Sequence, residues 1–316
     1  MPMLNRLLIV AVSLLVSQWP QLAIAEQECQ QIAEVTEIAP GVFVRAGRSG
    51  SIFEDKDIAN IGFILGKRCV AVIDTGGSEE EGRALSCAIK QKTSVPVCYV
   101  VNTHVHPDHI LGNHAFKRPE TRFIGHTNLP RAMSLLGSTY LQRASKGPGY
   151  SLSPDHIVLP EEQVQQQQQL DLDLGGRVLQ LTAQPQAHTD NDLTIFDTKT
   201  QTLWLADLLF SKHIPVIGGS GSLNAWLKLI EKLQKQPAAR VVPGHGPASM
   251  PWPEAANDEI RYLSRLRDDT RSWLQQNGEL PEAFENVGYA EKGKWEQFNE
   301  FHKRNISTAY TELEWE

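Results

Sequence analysis

The segment Thr103-His104-Val105-His106-Pro107-Asp108-His109 packs four potential metal ligands into six residues. In an extended backbone, residues two apart project to the same side, so His104 and His106 can converge on one ion. Pro107 ends the extension, and the turn after it swings Asp108 and His109 toward a second position. Imidazole and carboxylate donors suit zinc, and a catalytic zinc keeps an open position for water. Three further candidates share this context. His188 lies in Ala187-His188-Thr189-Asp190-Asn191-Asp192, a turn between two strand patterns. Asp207 follows the strand pattern Thr202 to Ala206, which it is expected to end. His245 sits in Pro243-Gly244-His245-Gly246-Pro247, where the glycines let the backbone approach a site closely.

Two dications with open positions would lower the pKa of a shared water from about 15.7 to roughly 7, giving a hydroxide nucleophile at neutral pH. That hydroxide would attack a carbonyl carbon or a phosphoryl phosphorus while the metals stabilise the developing oxyanion. Asp108 is placed to orient the hydroxide and to shuttle a proton. The chain has no Gly-x-Ser-x-Gly elbow, and this chemistry needs no serine or cysteine nucleophile. His213, in Ser211-Lys212-His213, is a candidate substrate contact. Asn113 and His114 read as structural, and His126, His156 and His302 lack ligand spacing. Asn305-Ile306-Ser307 fits a glycosylation tripeptide, a weak signal at that length.

The elements that must carry these residues are legible in the hydrophobic pattern. Gly41 to Arg45, Asn60 to Gly66 and Cys69 to Asp74 read as strands, the last two as near-continuous apolar runs suited to burial on both faces. Ser78 with Glu81 forms a capping-box pattern opening a helix to about Lys92, and Val97 to Val101 is the next buried strand. Strand, helix, strand at this spacing predicts parallel neighbours whose C-terminal ends, Asp74 and Asn102, share one sheet edge, where sites form in α/β layers. Pro119 to Pro160 reads as irregular, with Gly137, Gly147 and Gly149 marking flexible loop. The glutamine run Gln165 to Gln169 reads as solvent-facing. Strands resume at Arg177 to Leu181, Asp192 to Phe196 and Thr202 to Ala206. Ser222 opens a helix with Leu223, Trp226, Leu227, Ile230 and Leu233 on one face. Arg240 to Pro243 is a last strand, and the chain beyond about residue 252 is expected to be mostly helical.

Composition sets the bounds. The 316 residues are 41% hydrophobic and 21% charged, ordinary for a globular protein. A net charge of −7 points away from nucleic acid and anionic membrane surfaces as partners, leaving a small molecule as the expected substrate. Arg6, the apolar stretch Leu7 to Val16 and then Ala23-Ile24-Ala25 read as a secretory signal peptide cut after Ala25. The apolar run is too short for a membrane anchor. The expected organisation is therefore a leader over 1–25 and one domain over 26–316, located in the periplasm. Cys29, Cys69, Cys87 and Cys98 form an even set, compatible with three disulfide connectivities in an exported chain; at least one bridge is expected.

With these residues in view, nearly all of the mature sequence resembles the metallo-β-lactamase superfamily. The resemblance implies an α/β four-layer αβ/βα sandwich with a helical C-terminal segment and the site between the sheets. It implies one metal on His104, His106 and His188 and another on Asp108, His109 and His245. Asp207 would be the bridging aspartate of the glyoxalase-II-like branches, and Asp74 a carboxylate that orients a ligand. Gly47-Arg48-Ser49-Gly50, Ile73 to Ser78, His188 to Leu193 and the tail Arg304-Asn305 to Glu316 resemble, more narrowly, the quinoprotein relay system zinc metallohydrolases. Those are exported proteins associated with quinoprotein dehydrogenase systems. The expected activity is thus binuclear zinc hydrolysis of an ester, thioester, lactam or lactone. Alternatives are a sulfur (persulfide) dioxygenase with one Fe2+, and a non-catalytic periplasmic accessory protein. Aspartate at 207, where β-lactamases carry cysteine or serine, points away from a true β-lactamase.

Overall fold

The computed structural model describes residues 29, 31–49, 57–144 and 153–316. The expected leader over 1–25 lies outside the described residues, as do Gly50, Gly147 and Gly149. Four antiparallel strands open the fold: β1 (Thr36–Ala39), β2 (Val42–Arg45), β3 (Ile61–Leu65) and β4 (Val70–Ile73). Helix α1 (Glu79–Lys92) crosses over to β5 (Val97–Val101), which pairs parallel with β4 as the strand-helix-strand spacing predicts. The short α2 (Pro107–Ile110) and a 3-10 turn (Asn113–Phe116) lead to β6 (Arg122–His126). Then α3 (Leu129–Ala144) leads to β7 (Glu162–Val164), which closes a sheet of order β1-β2-β3-β4-β5-β6-β7.

The second sheet has the order β12-β11-β10-β9-β8. It comprises β8 (Gln169–Asp173), β9 (Val178–Ala183), β10 (Leu193–Asp197), β11 (Thr202–Phe210) and β12 (Arg240–His245). Helix α4 (Leu223–Leu233) joins β11 to β12, a parallel pair. The chain ends in α5 (Asn257–Gln275), α6 (Leu280–Asn286) and α7 (Phe298–Leu313), as the sequence pattern predicts.

Period-two alternation builds the layers. On β4, Ala71 and Ile73 enter the core between the sheets, with Leu181, Ile195, Trp204 and Val242 from the second sheet. Val70 and Val72 face the other way, onto Leu85 and Ile89 of α1. On β11, Trp204 and Ala206 point inward while Leu203 and Leu205 meet Trp226, Ile230, Tyr262, Leu263 and Phe301 of the helices behind. Helices pack on the outer face of each sheet, giving the α/β sandwich of helix, sheet, sheet and helix, while the outer face of the edge strand β8 is left exposed at Gln169, Asp171 and Asp173. Each large apolar side chain so buried contributes about 1.5–3 kcal/mol relative to exposure.

Three local expectations need correction. The stretch read as irregular between Pro119 and Pro160 contains β6 and α3. The buried stripe of α3 is narrow, Leu129, Met133, Gly137 and Leu141, while Leu135 is 64% exposed, so the amphipathic signal is blurred. Strand β11 runs past Ala206 to Phe210, so Asp207 lies within it rather than at its end. The pairing with β12 shifts register on either side of Ala206, whose φ of 47° turns the strand locally and re-aims the next side chain. At α1, Ser78 Oγ accepts from the Glu81 N–H at 3.2 Å as a cap should, but the Glu81 carboxylate accepts from Gly77 rather than Ser78.

Cys29 is bonded to Cys87 and Cys69 to Cys98, so both pairs are bridged where at least one was expected. The second bridge ties the starts of the parallel neighbours β4 and β5. Among the described residues, no helix is long and apolar enough to cross a membrane. A thiol reagent added to the denatured, unreduced chain is expected to label none of the four cysteines. Replacing Cys69 and Cys98 by alanine together is expected to cost about 2–4 kcal/mol in denaturant unfolding.

Candidate metal centre

The β4-α1-β5 crossover puts the C-terminal ends of β4 and β5 side by side, and the site grows from there. Asp74 follows β4 with φ 54°, a left-handed conformation that aspartate tolerates better than most residues. Thr103 follows β5, and the chain bends at His104 and Val105. His106 then caps α2 with extended φ and ψ, Pro107 occupies its first turn, and Asp108 and His109 lie on that turn. The change from extended to helical backbone divides the cluster as the sequence predicts. The second sheet supplies His188 from the β9–β10 loop, Asp207 from the irregular part of β11 and His245 from the end of β12.

All seven candidates meet. His104, His106, His188 and Asp207 form one group of ligand atoms within 4.8 Å of one another, and Asp108, His109 and His245 form another. His106 Nδ1 is 3.0 Å from His104 Nε2 and 2.9 Å from His188 Nε2. Asp207 stands between the groups: Oδ1 is 3.1 Å from His109 Nε2, and Oδ2 is 3.3 Å from His245 Nε2 and 3.4 Å from His188 Nε2. Asp108 Oδ2 lies 3.5 Å from Nε2 of both His109 and His245.

The far side of each ring explains why these nitrogens face inward. His188 Nδ1 donates to the Val216 carbonyl at 2.7 Å, and His245 Nδ1 to the Ile58 carbonyl at 3.1 Å. A carbonyl only accepts, so both Nδ1 atoms carry a proton, and in the neutral ring each Nε2 presents a lone pair to the site. His109 Nδ1 donates to Asp74 Oδ2 at 2.8 Å, and Asp74 in turn accepts from the Thr103 N–H and hydroxyl. A neutral His109 therefore turns an Nε2 lone pair toward Asp207 Oδ1. His109 Nε2, Asp207 Oδ1 and Asp108 Oδ2 are buried with no hydrogen-bond partner. Acceptor facing acceptor in a buried cleft is repulsive unless a cation sits between them, and this nitrogen and oxygen set suits zinc.

Electrostatics point the same way. Burial, aided by neighbouring imidazoles, holds His106 down to about 4, His188 to about 3 and His104 well below the usual histidine range. Burial also opposes a charge on His109 and His245, but the carboxylates of Asp207 and Asp108 outweigh it and raise both. Asp207 is itself held well below the usual carboxylate range: burial opposes this, and His245, His109 and His104 overcome it. The carboxylates therefore favour positive charge at His109 and His245, while burial disfavours it on His104, His106 and His188.

Other residues take supporting places that spacing does not reveal. Asn60 binds the end of β12, its N–H donating to the Gly244 carbonyl and its side-chain amide to the Pro243 carbonyl. Asp192 accepts from the Thr189 N–H and hydroxyl and closes the His188 loop, and burial pushes its carboxyl up to about 8. Glu259, fully buried on α5, accepts from the Phe210 N–H at 2.6 Å and braces the end of β11; burial drives its carboxyl well above the usual range. Nothing in the sequence sets these apart from other polar residues. Asn113 joins Thr75 and Asn102 beneath the site. His213 is 5% exposed, with its ring 5.2 Å from that of His245 and its Nδ1 donating to Ile214. His302 is a satisfied core histidine between Tyr262 and the Val287 carbonyl, and His126 accepts from the Asn128 N–H. Asn305 is fully buried, bonded to Pro215, Ile217 and Tyr262, so the glycosylation tripeptide is not available in the folded chain.

Gly244 meets the expected close approach: a Cβ there would lie 1.9 Å from Asp207 Oδ1 and 2.7 Å from the Asp207 backbone nitrogen. Gly244→Ala is expected to cost about 1–3 kcal/mol in denaturant unfolding. Gly219→Ala, with open space around the new methyl, is expected to stay within about 0.5 kcal/mol of the parent.

The family model of the metallo-beta-lactamase superfamily matches residues 55–245. A linear primary-alkylsulfatase of Pseudomonas sp. (strain ATCC 19151) is 24% identical over 239 residues, spanning 64% of this chain and 43% of its own. The chain thus spans under half the length of that curated relative. Among solved structures, a stereoselective inverting sec-alkylsulfatase from Pseudomonas sp. superposes with a TM-score of 0.68 at 16% identity, covering 89% of this chain and 50% of its own. A metallo-beta-lactamase from Pontibacter korlensis gives 0.58 at 21% identity, covering 73% of this chain and 98% of its own. These likenesses share the sandwich described above, and the family model spans more than half of the sequence: the chain belongs to the metallo-β-lactamase superfamily.

Proposed function

We propose that this chain is an exported, binuclear zinc-dependent hydrolase. In this reading residues 1–25 are a cleaved leader, 26–316 form one unit, and the enzyme works in the periplasm. The observation that carries the reading is the pair of ligand groups meeting at Asp207, with inward nitrogens whose outer partners are already fixed. His104, His106 and His188 would hold one ion, Asp108, His109 and His245 the other, and Asp207 would bridge them. When bound, such ions supply Lewis acidity that activates water and polarises the substrate oxygen.

The chain's own groups do the rest. Asp108, 6% exposed and facing two imidazoles, is positioned to take a proton from the attacking water and return it to the leaving group. Asp74 holds the His109 ring in one tautomer and orientation. His213, packed on His245, steadies that ring and is the candidate for touching substrate from that side. Within the superfamily, the broader coverage by alkylsulfatase structures supports sulfate and carboxylic esters ahead of lactams as the first substrates to try. The resemblance to quinoprotein relay metallohydrolases supports a role beside a periplasmic quinoprotein dehydrogenase system.

On the first ester, thioester or alkyl sulfate found to turn over, Asp108→Asn is expected to lower kcat by roughly 10²–10⁴ while the unfolding midpoint stays near the parent. Unchanged turnover would remove Asp108 from the mechanism. Asp74→Asn removes the charge behind His109 and is expected to weaken metal binding about 10–100-fold in a chelator competition. Binding must displace protons from His109 and His245, whose affinity for protons is raised in the folded chain. Metal affinity is therefore expected to rise with pH through the titration of those rings and to fall on acidification, read by the same competition across pH.

A further inference from the structure

A third cluster of metal-ligating side chains lies outside the cleft. Glu79 opens α1, His114 sits in the 3-10 turn after α2, and His156 ends a second 3-10 turn over Pro154–His156. Their ligand atoms all lie within 4.8 Å of one another, although 35 and 77 residues separate Glu79 from the two histidines. We propose that Glu79, His114 and His156 form a separate divalent-cation site that takes zinc and clamps three distant segments together.

The geometry supplies the parts. His156 Nε2 is 2.8 Å from Glu79 Oε2, and His114 Nδ1 is 3.2 Å from Oε1. The two imidazoles lie with centroids 4.7 Å apart, tilted by 31°. The outer nitrogen of His156 is served in either tautomer: the Ser153 N–H can donate to Nδ1 at 3.1 Å, and the Ser153 carbonyl can accept from it at 3.1 Å. The ring can therefore release its Nε2 proton to solvent and present a lone pair to a cation without orphaning Nδ1. Two imidazoles and one carboxylate match zinc better than calcium or magnesium, and the His114 side chain, 35% exposed, gives an ion access. Arg83 binds Glu79 Oε1 through Nε and Nη2, and its charge makes this a weaker site than the cleft. Glu79 stays ionised: burial opposes this, but Arg83, His114 and His156 hold its carboxyl down to about 2.

The clamp bears on the cleft through one side chain. Asn113, beside His114, accepts from the Thr75 hydroxyl at 2.8 Å, and the Thr75 N–H donates to the His109 carbonyl at 2.9 Å. An ion on His114 therefore steadies the turn that supports the His109 backbone.

The test is zinc titration of the full chain, with bound metal counted after chelator competition, beside His114→Gln and His156→Gln. The wild type is expected to bind one zinc equivalent more than either variant, more weakly than the rest, and to gain more in unfolding temperature on zinc addition. The difference of one equivalent is read whatever number the cleft holds, so this result is independent of the two-metal reading. If one variant fails to fold, the other gives the same comparison. Equal stoichiometry in all three chains, or an extra equivalent that fills only at millimolar zinc, overturns the proposal.

Discussion

Five imidazoles and two carboxylates share one buried cleft, with the Asp74 carboxylate behind His109, and the arrangement holds only if the charge between them is balanced. Asp207 concentrates the problem. It lies within a buried strand and faces nitrogens on both sides at 3.1–3.6 Å. Burial alone would drive its proton on, yet its neighbours hold it ionised. A buried carboxylate facing imidazole lone pairs is stable only with positive charge beside it, from protons or from metal. Much of the fold can be understood as the means of keeping that cluster together.

The sandwich does this with backbone more than with side chains. Parallel crossovers in both sheets bring the ends of β4, β5, β11 and β12 to the cleft, so ligands far apart in sequence meet. The carbonyls of Val216 and Ile58 choose the tautomers of His188 and His245. A carbonyl in a packed loop cannot change its protonation or rotate away, which makes it a rigid second partner for a ring. Asn305 on α7 reaches the same loop, donating to Pro215 and accepting from Ile217, so the C-terminal helix helps set the position of the carbonyl that orients His188. Left-handed backbone at Asp74 and Ala206 brackets the site on its two sheets, local strain that the surrounding hydrogen bonds sustain.

The site residues could be read from the sequence because they are types that rarely cluster by chance, at spacings tied to backbone geometry. The run from His104 to His109 encodes an extended segment followed by a helical turn; the structure has the turn, entered from an extended His106, but bends at His104 and Val105. The glycines beside His245 announced a close approach, and Gly244 indeed abuts Asp207. Strands buried on both faces were visible as apolar runs, and α4 as a clear stripe. What stayed hidden depends on tertiary partners. A carbonyl at Val216 or Ile58 has no side-chain signature, and Asn60, Asp192 and Glu259 matter only because of what packs on them. Helix α3 escaped because its stripe is one residue wide and includes glycine, and the extension of β11 because a left-handed residue in mid-strand has no marker in Ala206 itself. His114 read as structural and His156 as lacking ligand spacing because their partner, Glu79, lies 35 and 77 residues away.

Anomalous scattering from crystals of the protein as isolated, at the zinc and iron edges, addresses the central claim most directly. Two zinc peaks are expected in the cleft, one among His104, His106 and His188 and the other among Asp108, His109 and His245, with Asp207 between them. A single iron peak there would contradict the binuclear hydrolase and favour the one-iron oxygenase chemistry instead.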